Sequence, residues 1–119
     1  MPVPILDIGE EEFEKAVLKA DQPVLVFFWT SWSEPCKVVW PKAEKLAAMC
    51  AGKVRFVRVN ADENPTLGMW YDVQYIPALL VFSGGVPRMR LYGTMTEEAI
   101  LKQLGPWLGS GSSTPEPQS

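Results

Sequence analysis

Ser33-Glu34-Pro35-Cys36 sets a hydroxyl and a thiol three residues apart. The pair follows the apolar run Val24–Trp29 and opens a helical stretch. Chemistry at such a place would be sulfur chemistry, because the positive end of a helix favours a thiolate. Disulfide exchange starts when a thiolate attacks a disulfide sulfur. A serine hydroxyl does not ionise near neutral pH, so Ser33 cannot make that attack. Its plainer role is a helix N-cap, accepting a hydrogen bond from the Cys36 backbone N–H. The same hydroxyl and the helix dipole could also steady a Cys36 thiolate. Lys37 is adjacent to Cys36, but neighbouring side chains on a helix do not face each other. In the first turn of a long helix, behind Ser33 and without a facing cation, Cys36 is read as sheltered rather than reactive.

Cys50 cannot serve Cys36 as a disulfide partner. Fourteen residues of helix put it about 21 Å from Cys36, whereas a disulfide needs α-carbons within roughly 7 Å. It reads as a small apolar residue near a helix end. The chain contains no histidine, which removes Cys-His and Ser-His pairs. Two cysteines without histidine do not make a zinc site.

The elements that must position these residues follow from pattern. Val3–Leu6 reads as a first strand, and Glu10–Lys19 as a helix burying Phe13, Ala16 and Val17. Pro23 ends it, and Val24–Trp29, apolar on both faces, belongs in the middle of a covered sheet. Glu34–Cys50 is the longest helical segment, with Pro41 inside it, where a kink is expected. Val54–Asn60 alternates imperfectly but is rich in β-formers. Asp62-Glu63-Asn64-Pro65 turns into a short helix reaching about Tyr71. Ala78–Ser83 and Pro87–Tyr92 flank Gly84-Gly85 as a hairpin. Thr96 caps a last helix that ends near Gly105-Pro106 or frays to Leu108. Trp40 and Trp70 read as packing residues and Trp107 as the anchor of the last helix. The order βαβαβαββα predicts an α/β fold, a mixed sheet with helices on both faces and right-handed crossovers.

The 119 residues make one domain, read as 1–108, followed by a disordered polar tail over 109–119. A net charge of −3 and no basic cluster among aromatics argue against nucleic acid. The longest apolar run is far short of the ~20 residues a membrane span needs. The N-terminal ten residues lack the basic and apolar regions of a secretory signal, so a cytoplasmic protein is expected.

With these anchors in place, the chain resembles the thioredoxin family over roughly Val3 to Leu108. The matching segments are Phe28-Trp29, Trp32-Ser33-Glu34-Pro35-Cys36-Lys37, Pro41, Val59–Pro65, Ile76-Pro77, Gly84-Gly85 and Gly93. The family carries Trp-Cys-Gly-Pro-Cys-Lys where this chain has Trp32 to Lys37. The resemblance implies the thioredoxin fold and a protein-disulfide reductase ancestry. Ser33 stands where the attacking cysteine is lost, and Cys36 matches the second one. Phe27 stands where many members bury an aspartate that moves protons. Tyr75 stands before the cis-proline loop, where a small residue is common, and its ring would reshape the groove.

The resemblance further implies a peptide or protein groove bordered by Trp32, Glu34, Pro35, Tyr75, Ile76, Pro77 and Gly93. It implies no cofactor, a monomer, and a protein or peptide substrate. A thioredoxin reductase-like donor becomes relevant only if Ser33 is changed back to cysteine. Ser33 fits two histories: a native monothiol variant, or a Cys→Ser form of an active thioredoxin. A different class is an enzyme acting through Cys36 alone, such as a thiol peroxidase. Against it, peroxiredoxins, which share the fold, carry a proline where Trp29 stands and are longer. A cluster-binding protein would need two chains and an outside thiol.

Overall fold

A computed structural model describes residues 5–108 of the chain. Five strands and four helices run in the order β1 (Leu6–Asp7), α1 (Glu10–Phe13, continuing as a π-helical turn over Glu14–Leu18), β2 (Val24–Trp29), α2 (Glu34–Met49), β3 (Arg55–Asn60), α3 (Pro65–Trp70), β4 (Ala78–Ser83), β5 (Val86–Tyr92) and α4 (Glu97–Leu108). The strands form one mixed sheet in the order β1-β3-β2-β4-β5. β1, β3 and β2 are parallel, whereas β4 is antiparallel to both β2 and β5.

The central strand explains the layering. Successive side chains of a strand point to opposite faces, and every residue from Val24 to Phe28 is buried. Leu25 and Phe27 join Leu79 and Val81 in one core beneath Val39, Leu46 and Ala47 of α2 and Ile100 and Leu104 of α4. Val24, Val26 and Phe28 join Val57, Val59 and Leu80 in a second core, covered by Phe13, Val17 and Leu67 from α1 and α3. The sheet is thus sandwiched between two helical layers, the α/β architecture predicted from the element order.

Three details depart from the sequence reading. The first strand is Leu6–Asp7, pairing with Val57 and Arg58, while residues 3 and 4 of the predicted Val3–Leu6 segment lie outside the described residues. The predicted tail, 109–119, lies outside them as well. In the first helix the Lys19 N–H reaches the Glu14 carbonyl at 2.9 Å, five residues back, so a π-helical turn replaces the last α-turn. Phe13 and Val17 remain buried through it, so an apolar period does not reveal the widened turn.

Trp70 is the third departure, since it is 68 % exposed rather than packed. Tyr71, one residue later, takes the inward place. Its ring lies 5.4 Å from Phe13 and 5.0 Å, edge-on, from Phe82. Trp107, by contrast, packs against the α2/α4 core as expected. Gly84 and Gly85 close the β4–β5 hairpin with φ of 64° and 79°, a left-handed pair that only glycine adopts without strain.

Candidate functional site

Strand register gathers the predicted residues at one end of the sheet. Trp29, the last residue of β2, pairs with Asn60, the last of β3. Ala78, the first of β4, pairs with Phe28 and with Tyr92, the last of β5. The loop into α2, the Ile76-Pro77 segment and Gly93 therefore all leave the sheet from this end. The carboxyl ends of parallel strands are where open α/β sheets bind ligands.

Ser33 is the N-cap of α2, in extended conformation, and its Oγ accepts from the Cys36 N–H at 3.4 Å. Both residues are 4 % exposed. Pro35 sits in the first turn, where a missing N–H costs nothing. Glu34 and Pro35 are exposed, and the Glu34 carboxylate pairs with Lys37 at 3.0 Å. Lys37 is thereby turned to solvent and its near acid. Cys36 and Cys50 are both free thiols. Cys50 follows the far end of the same helix, and burial pushes its thiol pKa up, with Lys53 opposing weakly.

Trp32 is 68 % exposed, yet its indole is fixed, because Nε1 donates to Asp62 Oδ2 at 2.7 Å. Asp62 is held in turn by Asn60, whose side-chain oxygen accepts from the Asp62 and Glu63 N–H groups at 2.9 and 3.2 Å. On the other side of the site the Ile76-Pro77 peptide bond is cis. The Pro77 carbonyl accepts from the Gly93 N–H at 2.9 Å, tying these two predicted residues together. Tyr75, 64 % exposed, stands edge-on to Tyr92 with ring centroids 5.7 Å apart.

One arrangement escaped the sequence reading. Phe27 stacks on Trp40 at 5.8 Å, and the Arg58 guanidinium lies over Trp40 at 4.5 Å and over Trp29 at 5.0 Å. These residues, with Thr30, Ser31, Cys36 and Lys37, line a cavity of about 360 Å³. Its signal was the imperfect alternation of Arg55–Asn60, where Arg58 falls on the face that Phe56 shares with the α2/α4 core. Among the described residues, no group of three or more His, Cys, Asp or Glu side chains is placed to hold a metal. None of their helices is long and apolar enough to cross a membrane.

A thioredoxin family model matches residues 4–105, which span the whole sheet and the α2 start. The chain belongs to the thioredoxin family. It is 41 % identical over 97 residues to Thioredoxin 1 of Nostoc sp., covering 82 % of this chain and 91 % of that one. It is 42 % identical over 96 residues to the thioredoxin of Acidithiobacillus ferridurans, covering 81 % and 89 %. To the chloroplastic Thioredoxin M4 of Arabidopsis thaliana it is 32 % identical over 102 residues, which are 86 % of this chain but about half, 53 %, of that relative. Membership places its function in the family's disulfide-reductase-like class.

Proposed function

We propose that this protein binds protein or peptide substrates through the thioredoxin groove, as a cytoplasmic monomer, without completing dithiol exchange. The observation that carries the reading is Ser33. It occupies the place of the attacking thiol, is 4 % exposed, and is engaged as the cap of α2. Cys36 is left with no thiol partner at hand, since Cys50 lies beyond the other end of the helix. The exposed rings of Trp32 and Tyr75, beside Ile76 and the Pro77–Gly93 backbone pair, support an aromatic contact for an extended peptide. Binding of that kind needs no thiolate.

The test is reduction of insulin's disulfides with a dithiol donor. The chain as it stands gives no rate above the uncatalysed one. Ser33→Cys restores turnover, and the restored dithiol becomes a substrate for a thioredoxin reductase-like donor. Catalysis by the unaltered chain overturns the proposal. Failure of Ser33→Cys while peptide binding persists assigns the loss to Phe27, Glu34 or Tyr75.

A second reading, a thiol peroxidase acting through Cys36, is favoured by the cavity that Cys36 lines. There a Cys36 thiolate would take one oxygen from a peroxide, giving a sulfenic acid and releasing the alcohol or water. Rapid peroxide consumption with trapping of that sulfenic acid selects it over the binding reading.

A further inference from the structure

The cavity beside Cys36 lies off the groove and has its own chemistry. Two cationic side chains, Arg58 and Lys37, line it and no acidic one does. Lys37 is already paired with Glu34 at the exposed rim. Arg58 is different. Its guanidinium is held flat against Trp40 and Trp29, but among the described residues it makes no hydrogen bond. Its one ionic neighbour, Asp7, stands 3.7 Å from Nε, too far for a good one.

Two further donors in the same wall are orphaned. The Trp29 indole N–H and the Thr30 hydroxyl are buried without partners, and Thr30 is only 3 % exposed. Buried polar groups are normally satisfied. Here three unpaired ones, Trp29 Nε1, Thr30 Oγ1 and Arg58 Nε, belong to residues lining one cavity. The rest of the lining is aromatic, from Phe27, Trp29 and Trp40. A stacked arginine with its donor edge unspent is the arrangement that recognises a carboxylate in bidentate fashion. The volume falls within the range of about 300–1,000 Å³ typical of small-molecule sites.

The geometry points to a binding site for a small organic carboxylate with an apolar body. Its charged group pairs with the Arg58 guanidinium, and its body lies against Phe27 and Trp40. This site is separate from the peptide groove and stands whether or not that groove binds peptides.

Benzoate is the probe, with benzamide as its neutral counterpart. Titrations are followed by the indole N–H signals of the full chain in a proton–nitrogen correlation spectrum. Benzoate shifts the Trp29 signal saturably and leaves that of exposed Trp70 in place. Benzamide binds weaker by about tenfold or more, the loss expected when a charge-assisted hydrogen bond becomes a neutral one. Arg58→Met lowers benzoate affinity by at least as much, while Arg58→Lys, which keeps the charge and loses the fork, falls between. If Arg58→Met does not fold, Arg58→Lys carries the comparison, binding more weakly than the parent. The proposal is overturned if benzoate and benzamide act alike, if the response never saturates, or if it appears at the other tryptophans and not at Trp29. Parent-like affinity in the Arg58 variants that fold overturns it as well.

Discussion

Ser33 caps α2 and, on the proposed reading, supplies no attacking sulfur, and the two roles separate by substitution. Ser33→Ala removes the hydroxyl that accepts from Cys36 N–H. Loss of such a cap costs about 1 kcal/mol, read as a lowered urea midpoint at unchanged slope. On the proposed reading catalysis does not change, because Ser33 supplies no attacking sulfur. Trp32 makes a parallel case. Its exposed ring is fixed by Asp62, so Asp62→Ala frees the indole N–H to water at a cost of about 1 kcal/mol or less. In the Ser33→Cys background the same change lowers the restored reductase rate, because a swinging Trp32 no longer lines the groove. An unchanged rate would remove Trp32 from the site. At this scale the cap was legible, because Ser-x-x-Cys after an apolar strand has one sensible local geometry. The Trp32–Asp62 bond joins residues thirty positions apart, and nothing local announces it. Arg58 was hidden for a related reason. Its neighbours Phe27, Trp29 and Trp40 come from two other elements.

Helix α1 and helix α3 act as one support under the second core. Phe13 packs edge-on to Phe82 at 5.5 Å and against Tyr71 at 5.4 Å. Asn64 Oδ1 also accepts from the Glu10 N–H at 3.1 Å, binding the start of one helix to the start of the other. Phe13→Ala should therefore cost about 3–5 kcal/mol, as for other buried aromatics. Trp70→Ala, on the neighbouring exposed position, should stay within about 0.5 kcal/mol. Denaturant unfolding of the two variants side by side checks the contrast. If Trp70→Ala proved the costlier, the placement of Tyr71 rather than Trp70 against Phe13 would be wrong. Element type and order were readable because periodicity and proline and glycine punctuation agree along the chain. The choice between Trp70 and Tyr71 was not, because a helix of six residues has too little length to define a face.

The whole molecule carries a pH dependence through the buried end of α2. Cys50 is 1 % exposed, and burial raises its thiol pKa in the folded state. The proton is then held more tightly folded than unfolded. The associated stability is fully present below the unfolded thiol value of about 8.5 and is lost as pH rises through the folded one. Tyr71, whose phenol is also raised by burial, adds a slope of the same sign at higher pH. Urea midpoints should fall through the alkaline range, and Cys50→Ala should flatten the earlier part of that fall; an identical slope in the variant would assign it to other groups. The sheet has two borders, and they meet solvent differently. β1 pairs only two residues against β3, while β5 runs seven residues with no strand beyond it among the described residues. A free border of that length is a template for another chain's strand. Here Pro87 lacks an N–H to offer, Arg88 and Arg90 are exposed, and the register slips between Val81 and Phe82. Replacing both arginines with threonine, a β-former without charge, should leave the fold intact and start concentration-dependent scattering. Solubility in this molecule would then rest on two cations at one rim of the sheet.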